Sequence, residues 1–152
     1  MKYRKLSPSV LFLITLLVGL FLSRVHPWHL TPYLEYAVLR SIGIVLLLIS
    51  LILNVLAYRA FRNALTPHAP FMKPKVLIKN GIFAVSRNPV YLALALSESA
   101  LAFVFDSIWL LVTALLLWVV LDRLIVRDEE KMLHSTFNQE YISYKKMTRR
   151  WL

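Results

Sequence analysis

Hydrophobic positions in this chain come in blocks rather than at intervals. Val10 to Leu22, Ser41 to Tyr58 and Ile108 to Leu121 contain no charged residue. Extended to the nearest flanking charges, each block approaches the ~20 residues that cross a ~30 Å hydrocarbon layer as a helix. A soluble domain of 152 residues would disperse its apolar residues at helical or alternating spacing. The pattern therefore predicts an all-α integral membrane protein.

Four spans are expected. The first runs from about Pro8 to Ser23 and is followed by a loop, Arg24 to about Tyr36. That loop holds Pro27, Trp28, Pro32 and Tyr33, the mixture found at a membrane interface. The second covers about Val38 to Tyr58. From Arg59 to Asn88 the chain turns polar, and Pro67, Pro70 and Pro74 forbid a continuous helix there. Pro89 suits the first turn of a third span, because that position needs no amide donor. Asp106 and Ser107 form a tight turn, and a fourth span reaches about Val126.

The stretch from Asp128 to Leu152 is too polar to cross. Its residues Leu133, Phe137, Tyr141, Tyr144, Met147 and Trp151 recur at three and four, forming one apolar stripe among basic residues. This pattern predicts an amphipathic helix at the interface. The whole chain, 1–152, reads as one domain. Its parts are two N-terminal spans (1–59), a polar loop (60–88), a helical hairpin (89–126) and a tail helix (127–152).

Charge sets the orientation. Lys and Arg number 18 against 8 Asp and Glu, which in a membrane protein points to cytoplasmic loops rather than to nucleic acid. Three of the basic residues precede the first span, six lie between Arg59 and Arg87, and six follow from Arg127 onward. Both termini and the central loop are therefore expected in the cytoplasm. Lys2, Arg4 and Lys5 ahead of an apolar run resemble a signal peptide, but no small-x-small cleavage site follows. The segment is read as an uncleaved span.

Most chemical signatures are missing. The chain has no cysteine, no Gly-rich phosphate loop and no dinucleotide fingerprint. Its four histidines, His26, His29, His68 and His134, are too scattered for a metal site. Polar groups that could bind a ligand gather near the cytoplasmic boundary instead. Lys75 to Ile78 is a short stretch that offers backbone groups beside the turn Asn80-Gly81, and Phe83 follows. Arg87-Asn88-Pro89-Val90-Tyr91 begins the third span, and Asp128-Glu129-Glu130 follows the fourth. Taken singly, these read as an interfacial loop, an Arg anchor and local pairing of acids with Arg123 and Arg127. Glu98, flanked by Ser97 and Ser99, is the one carboxylate well inside a span. It is a functional hypothesis by default, though a bond to Asn54 or helix packing would also account for it.

The order of these motifs, ending in Phe137-Asn138-Gln139-Glu140-Tyr141-x-x-Tyr144, resembles the isoprenylcysteine carboxyl methyltransferase family and the related phospholipid N-methyltransferases. The resemblance covers about Ala60 to Leu152. It implies an S-adenosylmethionine-dependent methyl transfer to a lipophilic acceptor. The cofactor would be held by His68, the backbone of Lys75, Val76, Leu77 and Ile78, then Phe83, the Asn88-Pro89-Val90-Tyr91 motif and Glu129. Three positions depart from the family pattern: Asn88 stands for its histidine, Ala93 for a glycine and Asn138 for the glycine after Phe137. The donor carries its own activated methyl, so the protein needs only to align donor and acceptor and exclude water. Arg123 and Arg127, one helical turn apart, are candidates for steering an anionic acceptor; the catalytic residue itself is left open. A prenylated carboxylate, a phospholipid amine and a lipophilic thiol all remain as acceptors, and no obligate protein partner is implied. The alternative reading is a non-catalytic membrane subunit or small transporter that retains the fold.

Overall fold

The computed structural model describes residues 7–65 and 74–152. Within them every regular element is a helix. Ser7 caps α1 (Pro8–Val25), its hydroxyl accepting from the Val10 amide, and Pro8 fills the first turn. After the loop comes α2 (Tyr36–Asn63), 28 residues long. A single turn, α3 (Ile82–Val85), precedes α4 (Pro89–Val104), and Ser107 caps α5 (Ile108–Val120). A π-helical turn over Leu121–Val126 then joins α5 to α6 (Arg127–Met147) without a break.

Three helices are long and apolar enough to cross a membrane: Pro8–Val25, Tyr36–Asn63 and the continuous Ile108–Met147. In the last of these the apolar part ends at Val126, because Arg127 to Glu130 are four charged residues in a row. The fourth apolar helix, α4, has 16 residues, about 24 Å of rise. It is shorter than a hydrocarbon layer and sits in the middle of the bundle. Helix α2 packs along α4, α1 packs along α5, and α4 and α5 pair with each other. The outward faces of α1, α2 and α5 present Leu17, Phe21, Leu51, Ile52 and Leu115, all exposed, as lipid-facing surfaces require.

Small residues let the helices approach. A Cβ on Gly43 of α2 would lie 2.9 Å from the Ala100 carbonyl and 3.0 Å from the Val104 amide of α4, so only glycine fits against that backbone. Ser50 of α2 donates to the Ala93 carbonyl at 2.9 Å and pairs with Ser97. Glu98 is fully buried and accepts from Thr15 of α1 at 2.8 Å. Asn54 donates instead to the Ser50 carbonyl of its own helix. The Glu98–Asn54 bond considered from sequence is therefore replaced by a Glu98–Thr15 bond, because α1 rather than α2 faces that side of α4.

At one end of the bundle the Asp106 side chain accepts from the amides of Leu30 and Thr31 and pairs with His29. Trp109 donates to the His26 carbonyl at 2.7 Å, so this loop is strapped to the α4–α5 turn. The opposite end carries the segment from Pro74 to Asn88 and the tail.

Candidate functional site

At that second end lies a cavity of about 380 Å³, within the range that encloses small ligands. Five parts of the chain converge on it. Ser7 and Ser9 come from the start of α1, and Asn54 and Phe61 from α2. The non-helical segment supplies Val76, Leu77 and Ile78, the α3–α4 region supplies Phe83 to Leu94, and α6 supplies Glu129, Glu130 and Leu133. Tyr141 and Tyr144 close it from the tail.

Local structure explains how each group is aimed. Gly81 has φ 62, a conformation open to glycine, and it turns the non-helical segment into α3. Pro89 then starts α4, and Tyr91 at its first turn reaches across to Glu129, donating its hydroxyl at 2.6 Å. Both residues were anticipated from sequence, although they stand 38 positions apart. Burial pushes the Glu129 carboxyl above its ordinary range, and the Tyr91 bond only partly offsets it.

Beside this pair lies an ionic cluster. Arg87 NH2 meets Glu130 Oε1 at 3.0 Å, and the Arg87 side chain is only 9% exposed. Its Nε and NH1 are buried with no hydrogen-bond partner among the described residues. Two guanidinium nitrogens buried without an acceptor are costly, and Arg87 also lines the cavity. Arg150 forks onto Glu130, Nε to Oε1 at 3.0 Å and NH2 to Oε2 at 2.7 Å, while its NH1 reaches Asp122 at 3.2 Å.

The tail covers the site from its apolar side. Leu77, Tyr141 and Tyr144 form a buried cluster, with Leu133 and Phe137 packed on it. Tyr144 donates to the Phe83 carbonyl at 2.6 Å. Burial holds the Tyr144 phenol above its ordinary value and pushes that of Tyr141 up to about 12, so both remain protonated. The predicted stripe is thus divided. Its middle faces the 74–83 segment, Trp151 packs on Trp118 and the core around Tyr91, and Met147 is 76% exposed.

Of the residues anticipated for the cofactor, Val76, Leu77, Ile78, Phe83, Asn88, Pro89, Val90, Tyr91 and Glu129 all line the cavity. Lys75 is exposed and does not. His68 lies outside the described residues. Arg123 and Arg127 do not line the cavity: both are exposed, and among the described residues Arg123 pairs with Asp122, at 3.8 Å. They lie on the outer side of a helix whose opposite face, with Leu121, Ile125 and Val126, is turned to the core. The cation at the cavity is Arg87, which from sequence was an anchor at a span start. Its isolated position before Asn-Pro was the available signal.

A model of the phospholipid methyltransferase family matches residues 38–140, from α2 through the kink of α6. This chain belongs to the phospholipid methyltransferase family. The match includes most of the cavity wall and stops short of the terminal segment that carries Arg150. No individual curated protein and no solved structure matches the chain. Membership makes it a membrane protein of a methyltransferase family.

Proposed function

We propose that this chain transfers a methyl group from S-adenosylmethionine to a lipophilic acceptor at the cytoplasmic face of the membrane. The observation that carries the reading is a cavity lined by both Glu129, held by Tyr91, and Arg87, whose Nε and NH1 have no partner among the described residues. The donor's amino-acid end is a zwitterion. Glu129 suits its ammonium and Arg87 its carboxylate, while Phe61, Phe83 and Leu77 provide apolar wall for the adenosyl part. When bound, the sulfonium supplies the electrophilic methyl, which passes in line to the acceptor heteroatom and leaves S-adenosylhomocysteine.

The chain's own contribution is alignment and exclusion of water. Tyr141 and Tyr144 roof the cavity, and Pro8, Val90 and Leu94 form an apolar wall between α1 and α4. Lipophilic acceptors fit that wall. The basic residues of the central loop and tail support a cytoplasmic placement of this end. With α4 counted as a crossing, both termini lie on that side.

The experiment is calorimetric titration of purified protein in detergent with S-adenosylmethionine. Glu129 must be ionised to take an ammonium, and its carboxyl sits above the ordinary range. Affinity is therefore expected to rise with pH upward from the usual carboxylate value, with a proton released on binding. Glu129→Gln is expected to weaken binding by roughly tenfold or more, the loss of one charged hydrogen bond, and to flatten the pH dependence. Unchanged affinity in that variant would remove Glu129 from the site. No binding by the wild-type protein would favour a non-catalytic member of the fold.

A further inference from the structure

Arg150 lies past the end of α6, in a segment outside the family match, and its contacts govern what Arg87 can do. We infer that Arg150 is a positioning residue: by occupying the fork of Glu130 it leaves the remaining N–H groups of Arg87 uncommitted, so that the guanidinium can turn them toward an anionic ligand in the cavity. The inference rests on the reading of Arg87 as the group that takes the cofactor's carboxylate.

A carboxylate beside two guanidiniums forms its strongest arrangement, two parallel N–H···O bonds, with one of them. Here Arg150 has that arrangement, through Nε and NH2. Arg87 is left with a single end-on contact, NH2 to Oε1. Its Nε and NH1 stay buried and unpartnered among the described residues.

Arg150 is itself held firmly. Its NH1 meets Asp122, which also accepts from Trp151 at 3.2 Å, and the Trp151 ring packs on Trp118. The Arg150 carbonyl accepts from Asn88 at 2.9 Å, and the Arg149 carbonyl accepts from the Arg87 amide at 3.1 Å. The same few residues therefore fix both the backbone that carries Arg87 and the carboxylate that would otherwise capture it. Charge agrees with this: Arg150 stands against both Glu130 and Asp122, the latter shared with Arg123, while Arg87 meets Glu130 alone. Removing Arg150 takes one positive charge from beside the cavity and weakens its attraction for an anion.

The competition predicts a rescue that a simple brace does not. In Arg150→Gln, Glu130 is free to turn both oxygens to Arg87, and affinity for S-adenosylmethionine is expected to fall by about tenfold or more. Adding Glu130→Gln to that variant removes the competitor and is expected to recover most of the loss. Arg150→Lys keeps the charge without the fork and is expected to fall between the two; it serves as the test if the glutamine variant does not fold. Titrations of the full-length variants in detergent, with thermal melts to confirm folding, read all of this out. A double variant that binds as weakly as Arg150→Gln, or more weakly, would overturn the inference and leave Arg150 a structural brace. Arg87→Gln separates the two levels. If it binds normally, the carboxylate role of Arg87 fails and this inference with it. If it binds weakly while Arg150→Gln and Arg150→Lys bind normally, only the role of Arg150 fails.

Discussion

Asn138 shows what a single position must tolerate. It has φ 44 and ψ −116 inside α6, a conformation that glycine adopts freely and side chains resist. The kink there swings Tyr141 and Tyr144 back over Leu77, so the roof of the cavity depends on it. The resemblance that places a glycine after Phe137 thereby acquires a physical reason. Asn138→Gly is expected to keep activity and to raise stability by up to about 1 kcal/mol, strain relief outweighing the entropy of glycine. Asn138→Val is expected to lower both, since a branched side chain fits that conformation worst. Thermal melts with turnover measured on the same samples check the pair. At this scale Tyr91 and Glu129 were legible as motif members. Arg87 as a cavity cation and Arg150 as its neighbour were not, because an ion pair across 43 or 20 positions leaves no spacing signal.

Among the elements, blocks of apolar residues were read with little loss. Helix α2 outruns its expected span at both ends, since nothing between Tyr36 and Asn63 stops a helix. The boundary between α5 and the tail helix α6 is a π-helical turn rather than a break. It turns Leu121, Ile125 and Val126 into the core and puts Asp122 within reach of Arg150 and Trp151. No residue type announces such a turn. The tail's amphipathic stripe was visible, but its partner was not, because the stripe alone cannot distinguish lipid from a neighbouring segment. Removal of residues from Phe137 onward discriminates them. The helices keep their own backbone bonds, so insertion is expected to persist. Turnover is expected to fall by at least about tenfold, on the order of 1.4 kcal/mol of barrier. A truncated protein that turns over at the full-length rate would reduce the tail to an anchor.

Across the whole molecule, the proposed chemistry requires the central loop, Glu129 and the terminal segment on one side of the membrane. Reporter fusions at the two termini are expected to read cytoplasm at both. An external C-terminus would part the cavity wall from the basic loop's side and end the enzyme reading.

The sequence by itself determined the class of the protein, the approximate placement of its long apolar helices and the sign of its charge asymmetry. These follow from short-range rules: apolar length against bilayer thickness, proline against the helix, and basic residues against translocation. Tertiary structure decided which helices touch and therefore which polar groups meet. Gly43 against Ala100, Glu98 with Thr15 rather than Asn54, and Arg150 between Glu130 and Asp122 are contacts between distant segments. Their partners are chosen by the packing of whole helices, which no local pattern encodes.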